Sequence, residues 1–113
     1  MIAVQEYTER MIRLQEAVSH QPVDVFLVSQ EESIYYLTGV SYRPLERPFF
    51  ILVWPDRPAD LLVPALEGEH LKAAPNVGGV STYWDYPSPV GEGYDEKLVG
   101  LLAGVKRIGV EPG

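Results

Sequence analysis

Few side chains of this sequence are placed to act as metal ligands, acids, bases or nucleophiles. The two histidines, His20 and His70, are far apart, and no H-E-x-x-H motif joins either of them to a second ligand. A hydrolytic metal site needs several His, Asp or Glu ligands around one ion, whereas the five aspartates are scattered at positions 24, 56, 60, 85 and 95. The sequence therefore predicts no catalytic residue and no metal ligand within its 113 residues.

The sequence also lacks the usual motifs of nucleophilic catalysis and of phosphate-binding loops. The chain has no cysteine and no G-x-S-x-G sequence. Ser29 follows an apolar run and precedes Glu32 by three residues, which is the pattern of a helix capping box. The Gly78-Gly79 pair precedes a strand-like segment, whereas a phosphate-binding loop leads into a helix. We therefore interpret Ser29 as a helix cap and expect no phosphate site.

Composition argues against nucleic-acid-binding, membrane and secreted proteins. The formal net charge of −7 argues against nucleic acid and anionic membrane surfaces as partners, because both need a basic patch. No apolar run approaches the roughly 20 residues that span a bilayer, and the N-terminus lacks the basic start of a secretory signal. The absence of cysteine suits a reducing compartment. We therefore expect a soluble, cytoplasmic protein.

The first third of the chain predicts two helices around one buried strand. Residues 23–28 are almost continuously apolar, as in a strand covered on both faces. Pro22 separates this strand from the first helix, and Gly39 ends the second. The side chains expected on the buried faces of the two helices are Val4, Tyr7, Met11, Leu14 and Val18 in the first and Ile34, Tyr35 and Leu37 in the second.

The remaining segments alternate between strand and helix patterns. They predict a single mixed α/β domain over residues 1–113, with three layers and a mainly five- to six-stranded sheet flanked by helices. The expected segments are a loop at 41–48, a hairpin of strands 49–54 and 60–63, a helix at 65–73, a strand at 80–84, a loop at 85–93, a helix around residues 98–105 and a last strand at 107–111.

Four of these segments together resemble the N-terminal domain of the creatinase/prolidase family. They are S-Q-E-E-S-I-Y-Y-L-T-G at 29–39, R-P-F-F-I-L-V at 47–53, L-L-V-P-A-L-E at 61–67 and R-I-G-V-E at 107–111. Glu32 departs from the family, in which many members have asparagine at this position. The resemblance covers almost the whole chain and implies the creatinase N-terminal fold, a ribonuclease H-like arrangement of sheet and helices.

The resemblance implies a function through a larger enzyme. Such enzymes are aminopeptidase P-like or prolidase-like and cleave the bond between an N-terminal residue and proline. Catalysis in the family belongs to a C-terminal pita-bread domain that binds two divalent metals (Mn, Co or Zn), and none of that domain is present in this sequence. The implied partners are this catalytic domain and further copies of the chain in a homodimer or higher oligomer. A creatinase-like amidinohydrolase, a non-peptidase relative, and a free-standing ligand- or protein-binding module remain as alternatives.

The resemblance also points to two sets of candidate site residues. Loops of the family's N-terminal domain reach toward a neighbouring subunit's active site, which here implicates Tyr42, Arg43 and Arg47 as a substrate-proximal loop. The alternative for these residues is a solvated loop whose arginines pair with nearby carboxylates. Clustered aromatic residues either mark an interface or cover the edge of the core. The aromatic residues in question are Tyr83, Trp84 and Tyr86.

Overall fold

A computed structural model of the chain describes residues 4–39, 49–64, 77–83 and 93–111. Three helices and five strands are formed within these ranges. Their bounds are α1 Val4–Ser19, β1 Val25–Val28, α2 Glu31–Thr38, β2 Phe50–Val53, β3 Ala59–Pro64, β4 Val77–Tyr83, α3 Tyr94–Leu101 and β5 Ile108–Val110. In the described part of the chain, no helix combines the length and the apolar character that crossing a membrane requires.

The five strands form one mixed sheet in the order β4-β3-β2-β1-β5. The hairpin expected from the sequence is present, because β2 and β3 pair antiparallel with Ile51 opposite Leu61. Strand β1 pairs antiparallel with β2 and parallel with β5, and β3 pairs parallel with β4. This arrangement confirms the predicted mixed α/β fold and places the strands nearest the two ends of the chain, β1 and β5, side by side.

One face of the sheet is covered by α1 and α2. Met11 and Val18 project from α1, and Ile34 and Leu37 project from α2, all of them at most 3% exposed. They pack against strand residues that are fully buried, namely Ile51, Val53, Ala59, Leu61 and Val63. The helical spacing of the apolar residues in the sequence therefore identified the inner face of α1, and that of α2 with the exception of Tyr35.

The opposite face is covered by α3 and the turn that follows it. Leu98 and Leu101 pack against Val25, Leu52 and Trp54 on the sheet. The apolar residues of β1 and β2 thus point alternately to the two helical layers, as in a strand buried on both faces. The domain has the three layers expected from the sequence, with the sheet in the middle.

Several local expectations need correction. Tyr35 is 49% exposed instead of buried, because the inner face of α2 is formed by Ile34, Leu37 and Thr38. The Gly78-Gly79 pair lies inside β4, not before it, and the register against β3 shifts next to Asp60. The helix expected at 65–73 and most of the two loops expected at 41–48 and 85–93 lie outside the described residues.

Candidate functional site

The candidate site is an open groove of about 770 Å³ beside α1 and α2, where β1 and β5 end. This volume lies within the range of small-molecule pockets. Its apolar residues come from α1, β1 and α2, and its polar residues surround them. The apolar lining consists of Leu14, Phe26, Val28 and Leu37, and the polar lining consists of Arg10, Arg13, Glu32, Ser33, Tyr36 and Glu111.

Glu111 joins the end of β5 to the beginning of α2. One oxygen of its carboxylate accepts hydrogen bonds from the backbone N–H groups of Ser29 at 2.8 Å and Gln30 at 3.0 Å. The other oxygen accepts from the Ser33 hydroxyl at 2.5 Å. The N–H groups at the start of a helix have no partners within the helix and favour a negative charge, so Glu111 satisfies both requirements. In the groove it serves as an acceptor for the backbone and is not placed as a general base.

This contact overturns the predicted capping box. The residue at the N-cap position of α2 is Gln30, and its side chain makes no capping hydrogen bond. Ser29 contributes its backbone N–H, not its hydroxyl, to the cap. The role assigned from sequence to the Ser29 and Glu32 pair is filled instead by Glu111, a carboxylate from the far end of the chain.

Arg10 fastens α1 to the end of α2. Its guanidinium donates a hydrogen bond at 2.8 Å to the backbone oxygen of Tyr36 and lies 4.2 Å from the centre of that residue's ring. It also pairs with Glu6 at 3.3 Å and lies 5.4 Å from the ring centre of Tyr7. The side chain of Arg10 is only 12% exposed, so most of its binding capacity is used within the domain.

The close approach of Tyr7 to Gly39 fixes the end of α2. Gly39 has a φ of 77°, and its N–H donates to the backbone oxygen of Tyr35 at 2.8 Å. A Cβ atom at this position would lie 2.9 Å from the ring of Tyr7, so glycine is required both by backbone conformation and by space. The chain then enters the segment 40–48, which ends at the fully buried Phe49.

Gly39 and Phe49 flank the segment that contains the predicted substrate-proximal loop. Tyr42, Arg43 and Arg47 lie outside the described residues, so their role stays a prediction. The structure fixes the points from which the loop leaves and to which it returns, at Gly39 and Phe49.

Of the three aromatic residues predicted as a possible interface at the end of β4, the structure describes only Tyr83. Tyr83 is 2% exposed, and its ring meets that of Tyr94 edge-on at 5.7 Å. Tyr94 in turn stacks on Phe50 at 6.2 Å. For Tyr83 this geometry favours the interpretation that it covers the edge of the core. Trp84 and Tyr86 lie outside the described residues.

Asp24 holds the end of β5 opposite to Glu111, where the strand begins. Its carboxylate accepts from the backbone N–H groups of Lys106 at 2.8 Å and Arg107 at 3.1 Å. Its own N–H donates to the backbone oxygen of Arg107 at 2.9 Å. The two accepted hydrogen bonds lower the pKa of the Asp24 carboxyl. Strand β5 is therefore held at both ends by carboxylates, a feature that sequence spacing did not reveal.

The groove also has two charged side chains that could contact a ligand. Arg13 and Glu32 face it, and neither makes an ion pair or hydrogen bond with another residue that the structure describes. Within residues 4–39, 49–64, 77–83 and 93–111, no three His, Cys, Asp or Glu side chains are grouped so that they could hold a metal ion. The described residues therefore offer no donor set for a metal ion.

Comparison with known proteins supports the family resemblance found in the sequence. Residues 10–113 match the family model of the creatinase/prolidase N-terminal domain. The crystal structure of that domain from an X-Pro dipeptidase of Streptococcus pyogenes is 27% identical, with a TM-score of 0.72, over 91% of this chain and 80% of the other. A prolidase from Pyrococcus horikoshii is 26% identical with a TM-score of 0.62, over 96% of this chain but only 26% of its own.

A curated relative is also much longer than the part of it that this chain matches. An uncharacterized peptidase of Staphylococcus aureus strain USA300 is 29% identical over 80 residues, which is 71% of this chain. The chain spans about a quarter of the length of the curated relatives it matches, since the matched part is 23% of that peptidase. The fold, the family model over residues 10–113 and these relatives lead to one conclusion. This chain belongs to the creatinase/prolidase N-terminal domain family.

Proposed function

We propose that this chain is the non-catalytic N-terminal domain of an Xaa-Pro dipeptidase or aminopeptidase. The enzyme of which it forms part hydrolyses the bond between an N-terminal residue and proline. The domain contributes to oligomerisation and to shaping the active site, while catalysis and two divalent metals (Mn, Co or Zn) belong to a C-terminal domain. The observation that carries the proposal is the family match over residues 10–113.

The polar side chains of the groove support a non-catalytic role. The carboxylate of Glu111 accepts from two backbone N–H groups and one hydroxyl, and the Arg10 guanidinium is engaged by Tyr36 and Glu6. A general base needs an available lone pair directed at a substrate proton, and a nucleophile needs such a base beside it. Glu111 and Arg10 are engaged within the domain in this way, which supports a structural role for these two side chains.

The names of the relatives favour a peptidase over the creatinase-like alternative. The matching domain of Streptococcus pyogenes comes from an X-Pro dipeptidase, and the relative from Pyrococcus horikoshii is a prolidase. The proposal includes a cytoplasmic location, which the absence of cysteine supports.

The segment 40–48 is the part of the domain through which it shapes the active site. An arginine presents a planar fork that fits a peptide carboxylate, and an aromatic ring suits the face of proline. Arg43 and Arg47 supply the first group and Tyr42 the second. The described residues that flank this segment are Gly39, which ends α2, and the buried Phe49.

A chimera tests the proposal. The part of the Pyrococcus horikoshii prolidase that this chain matches is replaced by this chain, and a variant from which that part is deleted serves as the control. We expect the chimera to hydrolyse an Xaa-Pro dipeptide faster than the deletion variant and to reach the same metal content as the parent prolidase. A chimera that is folded and metal-loaded yet no faster than the deletion variant would contradict the proposal.

Substitution in the same chimera tests the loop. Arg43→Ala should raise KM or lower kcat while the melting temperature stays unchanged. Lys106→Ala is the matched control, because it removes one exposed cation elsewhere on the domain. If Arg43→Ala and Lys106→Ala leave both kinetic constants equally unaffected, the loop is solvated and does not reach the active site.

A further inference from the structure

The groove beside α1 and α2 carries free charges of opposite sign on its two helices. On α1, Arg13 is exposed and makes no ion pair or hydrogen bond with another residue that the structure describes. On α2, Glu32 is exposed and is likewise without such a contact in the described ranges. Glu111, at the start of α2, adds a second carboxylate on that side. Charged groups that face a groove in this way are available to a ligand of complementary charge.

The floor of the groove is apolar. It is formed by Leu14 of α1, Phe26 and Val28 of β1, and Leu37 of α2. Val28 and Leu37 are almost completely buried, whereas Leu14 and Phe26 are only partly buried and leave apolar surface in the groove. A smaller apolar cavity of about 300 Å³ shares Leu14 and Phe26 and extends this surface along α1. A large apolar side chain of a ligand fits this floor, because its burial there removes apolar surface from water on both sides.

Contacts within the domain hold the polar sides of the groove in place. The Arg10 guanidinium donates to the backbone oxygen of Tyr36 at 2.8 Å and lies 4.2 Å from the centre of its ring. Glu111 accepts from the hydroxyl of Ser33 and from two backbone N–H groups at the start of α2. Because these side chains are already ordered, a ligand loses less free energy to ordering the groove when it binds.

We propose that this groove binds an apolar α-amino acid with a large side chain. The carboxylate of the ligand pairs with Arg13, its ammonium group pairs with Glu32, and its side chain lies on the apolar floor. An arginine fork fits a carboxylate with two parallel hydrogen bonds, and a carboxylate accepts strong hydrogen bonds from an ammonium group. The inference does not depend on the proposed peptidase function, because it uses only residues of α1, β1 and α2.

The two opposite charges favour a zwitterion over a ligand with a single charge. A simple anion would pair with Arg13 but would be repelled by Glu32 and by the net charge of −7 of the chain. A simple cation would pair with Glu32 but would be repelled by Arg13. An amino acid pairs with both side chains and adds no net charge to the groove, so each charged group gains a partner.

The expected affinity is modest. The groove is open to solvent, and the side chains of Arg13 and Glu32 are both exposed. Ion pairs between exposed groups are screened by water, so each changes the affinity by up to about fivefold. Most of the binding therefore comes from burial of the apolar side chain, and we expect a dissociation constant of about 1 mM.

A series of ligands tests the assignment on the wild-type chain. Phenylalanine, N-acetylphenylalanine, phenylalanine amide and alanine are titrated into the 113-residue chain, and backbone amide shifts are followed by two-dimensional NMR. Acetylation removes the cation and amidation removes the anion, so each should weaken binding about fivefold. Alanine keeps both charges but lacks the large side chain and should bind about tenfold more weakly. Phenylalanine that causes no saturable shifts in the groove, or a blocked ligand or alanine that binds as tightly as phenylalanine, would overturn the proposal.

Two substitutions that remove one charge each test which side chain holds which end of the ligand. Glu32→Gln should weaken phenylalanine binding about fivefold and abolish the effect of acetylation, while amidation still weakens binding. Arg13→Gln should abolish the effect of amidation and keep that of acetylation. Glu16→Gln and Arg107→Gln are the matched controls and should bind as the wild type does, because both residues are exposed and neither lines the groove. An acetylation effect of the same size in Glu32→Gln and the wild type, or an amidation effect of the same size in Arg13→Gln and the wild type, would overturn the proposal.

Discussion

The carboxylate of Glu111 accepts a hydrogen bond at 2.8 Å from the backbone N–H of Ser29, across a separation of 82 positions in the sequence. Through this contact the residue that follows the last strand completes the start of α2. A helix of eight residues is marginal by itself and depends on tertiary contacts. The helix α2 and the strand β5 should therefore form and unfold together.

Replacement of Glu111 tests this coupling. Glu111→Ala removes an acceptor from two backbone N–H groups and one hydroxyl, so we expect the free energy of unfolding to fall by about 2 kcal/mol. Urea denaturation followed by circular dichroism measures the change. Glu16→Ala on the exposed side of α1 is the control and should change stability by less than about 0.5 kcal/mol. Equal effects of the two substitutions would show that the cap contributes nothing.

Asp24 predicts a dependence of stability on pH. Hydrogen bonds from Lys106 and Arg107 lower the pKa of its carboxyl below the ordinary value of 3.8. Because the folded-state pKa is the lower one, the stabilisation is fully present above the unfolded-state pKa and is lost as pH falls through the folded-state pKa. The wild type should therefore exceed Asp24→Asn in stability at neutral pH, and the difference should shrink below about pH 4.

Thermal unfolding of both chains between neutral and acidic pH measures this difference. Asp56→Asn, in the exposed turn between β2 and β3, is the control and should follow the wild type throughout the range. A difference between wild type and Asp24→Asn that is independent of pH would mean that the ionised carboxylate is not the stabilising form.

Gly39 predicts a steric and conformational effect at the end of α2. Gly39→Ala forces an alanine into a φ of 77° and places its Cβ 2.9 Å from the Tyr7 ring, so we expect a loss of about 2 kcal/mol. Gly100→Ala is a matched control, because nothing lies within 4 Å of the Cβ position there. Gly100 is in the last turn of α3, so alanine should leave stability unchanged or raise it by up to about 1 kcal/mol.

The layers of the fold could be predicted from sequence because they depend on local periodicity. The spacing of Met11, Leu14 and Val18 identified the inner face of α1, and the apolar run ending at Val28 identified a strand covered on both sides. Gly39 correctly marked the end of α2, since a left-handed residue there favours glycine. These features need no knowledge of distant parts of the chain.

The contacts that hold the groove together could not be predicted in the same way. Ser29 and Glu32 matched a capping box, but the carboxylate that caps α2 comes from Glu111 after β5. In the sequence Asp24 is only a residue that precedes a strand, whereas in the structure two backbone N–H groups next to β5 donate to its carboxylate. The sequence shows one carboxylate before β1 and another after β5. These positions indicate contacts with the backbone only when β1 and β5 are known to be neighbours in the sheet.

The most direct test of the non-catalytic assignment is a measurement of the peptidase activity of the chain by itself. An Xaa-Pro dipeptide is incubated with the purified 113-residue chain and added manganese, and release of free proline is followed against a blank without protein. We expect no release above the blank, because catalysis belongs to a different domain of the proposed enzyme. Turnover that stays with the chain through repurification and is lost when the chain is unfolded would contradict the assignment of a non-catalytic domain.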